Sequence, residues 1–292
     1  MVVLAGLGAW FLSAPRPAFS QDQAGLFEGG DAARGRIVFA MGDCASCHAS
    51  PGQPDRLRLG GGMTLAGPVG FFRPPNISPH PVDGIGRWQG VDLANALMSG
   101  VSPDGRHYYP ALPYVAYARM QPGDVADLMA YLRTLPPVSG RPPDHDVPFP
   151  FTIRRAIGFW KLLFLDRTPI EADSSRDASW NRGRYLVEAL GHCVECHGTR
   201  NLAGSVKSST RYAGGPDQEG TGFIPNITPT GIGHWSRDDL VELLTSGRTP
   251  DGRRVASYMA DVVINTASLP LSDRQAIADY ILSLPPRPTP HP

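Results

Sequence analysis

The 292-residue chain contains four cysteines, and all of them fall in two copies of one five-residue pattern. Cys44-Ala45-Ser46-Cys47-His48 and Cys193-Val194-Glu195-Cys196-His197 both read C-x-x-C-H. On a helix, residues i and i+3 share a face, so the two thiols of each copy point the same way. Thiols so placed can form thioether bonds to the two vinyl groups of a haem, while the histidine that follows turns a ring nitrogen toward the iron. C-x-x-C-H is the pattern of c-type haem attachment. A closed zinc site would need four ligands, and neither half holds a third cysteine. A thiol redox centre would place C-x-x-C in a βαβ setting, which is absent. The expectation is two covalently bound haem c groups, held by Cys44 and Cys47 and by Cys193 and Cys196, with His48 and His197 as axial ligands.

The elements that must position these residues are themselves written twice. Aligned on the cysteines, RGRIVFAMGDCASCH matches RGRYLVEALGHCVECH, NISPHPVDGIGRW matches NITPTGIGHW, SGVSPDGR matches SGRTPDGR, and DVADLMAYLRTLPP matches DRQAIADYILSLPP. Within each half the periodicity is helical. Asp31 caps a predicted helix through about Gly42, with Ile37, Val38 and Met41 at helical spacing, and Tyr185, Leu186 and Ala189 repeat that face. A second helix in each half ends at Gly100 and Gly247, the residue type favoured just past a helix C-terminus. The last helices, about 122–135 and 272–284, stop at Pro-Pro pairs. No stretch alternates with period two, so the expected fold is all-α. Between the halves, PPVSGRPPDHDVPFPF predicts a stiff Pro-rich crossing. The following TIRRAIGFWKLLFLD predicts an amphipathic helix, with Ile153, Ile157, Trp160 and Phe164 apolar and Arg154, Arg155 and Lys161 basic. Such a helix suits a membrane surface or partner, or packing between two haem units.

The order helix, C-x-x-C-H, long Gly/Pro-rich loop and final helix resembles class I cytochrome c in each half. The elements NIS/NIT-Pro, GIG-x-Trp, PDGR and YPALPY resemble more narrowly the cytochrome subunits of bacterial periplasmic dehydrogenases that act on alcohols, sugar alcohols and aldehydes. That resemblance implies two tandem class I cytochrome c domains with long loops, at 28–137 and 176–286, joined by a linker at 138–175. It implies an electron carrier fed by a dehydrogenase catalytic subunit and emptied into the respiratory chain, through the quinone pool or a terminal oxidase or cytochrome. Those subunits often carry three haems, and this chain has motifs for two.

The resemblance further implies a methionine as sixth iron ligand, between the haem motif and the final helix. In the second half Met259 is the only methionine after His197, and a thioether suits an electron carrier. Aligned on PDGR, Met259 falls on Leu112, which cannot ligate iron. Met120 is then the nearest replacement, although on the final-helix alignment it lies opposite Leu269, a packing position. Met98 and Met129 fall on apolar helical faces, His107 and His80 are further alternatives, and a five-coordinate first iron stays open. Trp88 and Trp235 are candidates to donate to a haem propionate and Arg87 or Arg106 to neutralise one. Asn76 and Asn226 are candidate turn caps.

Composition narrows the function. Lys plus Arg and Asp plus Glu each number 27, so the formal charge is zero, which argues against a nucleic-acid partner. With 33 glycines, 30 prolines and 41% hydrophobic residues, the chain reads as short helices within turn-rich loops. Residues 1–20 hold an uncharged apolar run, Val2 to Ala14, short for a membrane span, followed by a small-x-small site at Ala18-Phe19-Ser20. This segment is expected to be an export signal or a retained membrane anchor, placing the protein in the periplasm. The second function class is a dihaem redox enzyme of peroxidase type with an open first iron, so catalytic activity is left undecided.

Overall fold

The structure, a computed structural model, describes residues 8–217 and 222–290. Val2 to Leu7 of the apolar run lie outside the described residues. The chain divides into two compact units, Met1–Arg36 with His48–Pro169, and Ile37–Cys47 with Ile170–Pro292.

In the first unit a 3-10 helix, Gln21–Phe27, leads to α1 (Ala32–Met41), which starts in this unit and ends in the other. The backbone N–H of Arg34 donates to Asp31 at 2.9 Å, so Asp31 caps the helix as its sequence position predicts. α2 (Cys44–His48) belongs to the second unit up to Cys47. From His48 the first unit continues with two three-residue antiparallel strands, β1 (Leu65–Gly67) and β2 (Gly70–Phe72), then α3 (Gly90–Ser99), α4 (Tyr114–Tyr117), α5 (Pro122–Leu132) and α6 (Arg155–Phe164). The second unit runs α7 (Ala178–Tyr185), a π-helical turn (Leu186–Leu190), α8 (Cys193–Cys196), a two-residue ladder of β3 (Gly215–Pro216) with β4 (Phe223–Ile224), α9 (Pro229–Ile232), α10 (Arg237–Ser246), α11 (Tyr258–Thr266) and α12 (Leu271–Leu282). The fold is helical as expected, and the strands are only brief ladders in loops.

α1 crosses α5, and α7 crosses α12, by the same device. A Cβ on Gly35 would lie 1.9 Å from the carbonyl oxygen of Asp127 on α5, and one on Gly183 would lie 1.9 Å from that of Ala276 on α12. Only glycine lets the backbones approach this closely. Beside each glycine an arginine grips an aspartate with two hydrogen bonds: Arg34 to Asp127 at 2.7 and 2.9 Å, and Arg182 to Asp273 at 3.0 and 2.9 Å. Such forked pairs add direction to the packing. α3 and α10 both end on left-handed glycines, Gly100 (φ 59°) and Gly247 (φ 76°).

Three features differ from the sequence reading. The second copy has one more residue than the first between the arginine-glycine pair and the first cysteine, and the π turn at Leu186–Leu190 takes it up. A one-residue insertion absorbed as a π turn keeps both ends of the helix in register. Residues 138–169, expected within a linker, belong to the first unit: Val147 and Ile157 join Phe72 and Tyr109 in a buried cluster. The final helices end earlier than expected, the last turn of the first continuing as 3-10 turns from Thr134 to Tyr131 and from Leu135 to Leu132.

Candidate haem-binding sites

Both cysteine-histidine motifs form a single helical turn, Cys44–His48 in α2 and Cys193–Cys196 in α8 with His197 as its cap. The imidazoles are oriented alike. Nδ1 of His48 lies 2.8 Å from the carbonyl oxygen of Pro75, and Nδ1 of His197 lies 2.8 Å from that of Pro225. A carbonyl can only accept, so Nδ1 carries the proton in both rings and Nε2 presents its lone pair, the form that binds a metal. Burial pushes both histidines below their ordinary pKa, opposed by the bond to the proline carbonyl. Each ring is therefore neutral, as ligation requires.

What aims the proline carbonyls is also duplicated. Asn76, next to Pro75, accepts from the backbone and hydroxyl of Ser78 at 2.9 and 2.7 Å and donates to the carbonyls of Val138 and Gly140 at 2.7 and 2.9 Å. Asn226, next to Pro225, accepts from both groups of Thr228 at 2.8 and 2.7 Å and donates to the Arg287 carbonyl at 2.9 Å and the Thr289 hydroxyl at 3.0 Å. These asparagines do more than cap turns, since they tie the loop that holds the histidine to the strand of chain leaving the last helix. Gly61 and Gly214 donate to the carbonyls of His48 and His197 at 2.8 and 3.1 Å. The sequence reading passed over Pro75, Pro225, Gly61 and Gly214, although the Pro-Asn-Ile of both halves was a signal for the prolines.

Gly214 has φ +73°, and a Cβ there would sit 2.2 Å from the Ile224 carbonyl oxygen. Strained backbone and a forced contact together cost about 2–5 kcal/mol. Gly214→Ala is expected to lower the unfolding midpoint of the second unit in a thermal melt and to disturb the spectrum of its iron. An unaltered melt would show that the loop yields.

The thiols of Cys44, Cys47 and Cys193 are pushed up to about 12, burial being the main cause, so they stand protonated. After burial, Asp43 is the next cause of the shift for both Cys44 and Cys47. Asp43 sits at φ 54° and accepts from the Ser46 hydroxyl at 2.5 Å and from the amide of Asn265. Burial raises its pKa above the ordinary carboxylate value, with His192 opposing the shift. The folded state therefore holds this proton more tightly than the unfolded state. The stability contribution is complete below pH 3.8 and is lost as pH rises through the raised value. Asp43→Asn keeps an acceptor for Ser46 and Asn265 and suits the left-handed backbone. The variant is expected to gain on the wild type as pH rises from 4 to 7 in chemical denaturation, and a gap that stays constant with pH would rule the account out.

The candidate sixth ligands occupy unlike settings. Met120 is buried between α4 and α5, whereas Met259 is half-buried in the first turn of α11, behind Ser257 at φ 53°. Leu112 is half-buried just before α4. Met98 and Met129 are buried on α3 and α5. His107 has both ring nitrogens engaged, Nε2 with the Ser13 carbonyl at 2.9 Å and Nδ1 with Lys161 at 3.1 Å, so as arranged it offers no lone pair to iron. His80 accepts at Nδ1 from Asp83 N–H at 3.0 Å. Arg106 is paired with Asp104 at 2.6 Å, while Arg87 is exposed and Trp88 and Trp235 are half-buried.

Two cysteines on one turn beside an oriented imidazole fit a covalently attached haem, and the chain builds that donor set twice. The fold and sites thus define a c-type cytochrome with two haem-binding motifs. The cytochrome c family matches residues 32–136. A dihaem c-type cytochrome of Cereibacter sphaeroides is 48% identical over 288 residues, covering 98% of this chain and 96% of that protein. This chain belongs to the dihaem c-type cytochromes, electron-transfer proteins with two covalently bound haem c groups. It is also similar to the fructose dehydrogenase cytochrome subunit of Gluconobacter japonicus, 38% identical over 86% of this chain and 52% of that subunit. The cytochrome c subunit of the quinone alcohol dehydrogenase of Gluconobacter oxydans is 36% identical over 86% of this chain and 54% of that subunit. The chain therefore spans about half the length of these two subunits.

Proposed function

We propose that the protein accepts electrons from the catalytic subunit of a periplasmic dehydrogenase and delivers them to the respiratory chain, at the quinone pool or at a terminal oxidase or cytochrome. The observation that carries this reading is the duplicated ligand device: histidine, proline carbonyl and anchoring asparagine occur in both halves with matching distances. Bound haem supplies a one-electron Fe(III)/Fe(II) couple. The protein's part is to hold each imidazole still in its neutral form, because an electron carrier gains from ligands that do not rearrange between oxidation states. The likeness to subunits of fructose and alcohol dehydrogenases supports a dehydrogenase as donor.

We assign Cys44 and Cys47, and Cys193 and Cys196, to the thioether bonds, His48 and His197 to the fifth position, and Met120 and Met259 to the sixth. The two methionine-bearing segments fold differently, as they must if the sulfurs arrive from different places in the chain: α4 has four residues and α11 has nine. The second reading, a redox enzyme with an open first iron, rests on Leu112 at the place of Met259. With the His107 ring taken up by Ser13 and Lys161, the choice between the two readings rests on whether Met120 reaches the first iron.

The test is reconstitution. The purified cytochrome is mixed with the dehydrogenase that co-purifies with it, and that enzyme's substrate is added without oxygen. Both haems are expected to be reduced within the enzyme's turnover time. Peroxide-driven turnover by the cytochrome alone, with no reduction by any co-purifying dehydrogenase, would favour the enzyme reading.

A further inference from the structure

Residues 8–20 and α6 form a surface of the first unit that takes no part in the haem-binding sites. The backbone of the N-terminal stretch is held at four points. Asn95 on α3 brackets Phe19, accepting its N–H at 3.0 Å and donating to its carbonyl at 2.9 Å. The Ser99 hydroxyl accepts the Ala18 N–H at 3.3 Å. His107 donates to the Ser13 carbonyl, and Arg155 donates to the Trp10 carbonyl at 3.2 Å with its guanidinium 3.7 Å from the centre of the indole ring. Gly158 makes room for the chain, since a Cβ there would lie 2.4 Å from the Ser13 carbonyl oxygen. A segment gripped through its peptide groups by side chains from three parts of the unit is built into the fold.

Outward, this surface is apolar. Trp10 and Phe11 are 62% and 73% exposed, and Phe159, Leu162 and Leu163 on α6 are 40%, 59% and 75% exposed. Arg155, Phe159, Leu162 and Leu163 stand at i, i+4, i+7 and i+8, which is one stripe of a helix. Trp10 lies against the arginine at its head. A contiguous patch of large exposed side chains marks an interaction surface. Its charge is one-sided: residues 8–20 and 155–164 hold no carboxylate, and its cations are Arg16 and Arg155, since the Lys161 ammonium turns inward to the carbonyls of Ser99 and Gly100. Residues 1–7, MVVLAGL, add no polar side chain to the same end of the chain.

An apolar stripe with a tryptophan at its edge and cations around it matches a helix lying in the headgroup region of a bilayer. The same cationic fringe would repel a second copy of itself. No helix among the described residues is long and apolar enough to cross a membrane. We propose that the surface formed by residues 10–12 and α6 docks the protein on a leaflet containing anionic phospholipid, and that residues 10–20 are retained in the mature chain. The proposal does not depend on which protein donates the electrons.

The test uses the purified dihaem protein and sucrose-loaded vesicles of phosphatidylcholine, with and without phosphatidylglycerol. The haem absorbance is expected to sediment with the anionic vesicles and to be partly released by salt. Leu162→Glu with Leu163→Glu is expected to cut the bound fraction at least tenfold while both haems remain. If that pair costs haem, Leu163→Ser replaces it, with a several-fold loss expected. The intact mass of the wild type is expected to include Trp10. A protein that stays in the supernatant with both vesicle types, a mature chain beginning after Ser20, or variants that sediment like the wild type would each overturn the proposal. So would variants that bind vesicles normally but dissociate from a dimer or a dehydrogenase in sedimentation velocity, since the surface would then be a protein interface.

Discussion

Replacing Cys193 and Cys196 together by alanine is expected to leave one covalent haem per chain where the wild type has two. The two motifs are separate attachment points, each with its own histidine, proline carbonyl and asparagine, so the first should load normally while the second keeps only its imidazole. His197 is buried and neutral, and without thioether bonds a haem held there by ligation alone should wash out. Pyridine haemochrome titration after acid-acetone extraction reads the result directly. Two surviving haems in the variant, or zinc in proportion to the wild-type chain, would sink the covalent assignment. The reciprocal variant, Cys44→Ala with Cys47→Ala, is expected to spare the second haem.

Met120→Ala is expected to convert the first haem to a high-spin form that binds carbon monoxide, one molecule per chain, without touching the second. Thioether ligation raises a haem potential, so the first potential should fall as well. Met259→Ala should do the same to the second haem, and each variant should lose about half of the near-infrared sulfur-to-iron band. The two methionines should respond independently, because one is buried beside α5 and the other opens α11. Leu112→Met in the Met120→Ala background tests whether a sulfur at the place equivalent to Met259 can substitute. If Met120→Ala leaves both spectra intact, Met120 is a packing residue and the first iron is five-coordinate or held by another group, which strengthens the redox-enzyme reading.

The covalent chemistry was legible in the amino-acid sequence because it is local. Cys44, Cys47 and His48 lie within one turn, as do Cys193, Cys196 and His197, and helical geometry alone brings their functional atoms together. The glycine ends at Gly100 and Gly247 were legible for the same reason, a backbone preference acting over a few residues, whereas the final helices stop ahead of their Pro-Pro pairs. Tertiary structure decided what depends on distant partners. The proline carbonyl that sets the tautomer of each histidine comes from 27 or 28 residues away, and the asparagine beside it is anchored some 60 residues further on. His107 was an open candidate until Ser13 and Lys161, 94 and 54 residues distant, claimed its nitrogens. The Pro-rich stretch after residue 138 reads as a linker by composition, yet it packs on the first unit because Val147 and Ile157 find Phe72 and Tyr109 there. The N-terminal residues read as an export signal or membrane anchor by hydropathy, and the bonds of Asn95, Ser99 and His107 to their backbone are visible only in the folded chain. Spacing reports on neighbours within a turn, and only the closed chain shows which remote carbonyl, amide or ring fills the remaining hydrogen bonds.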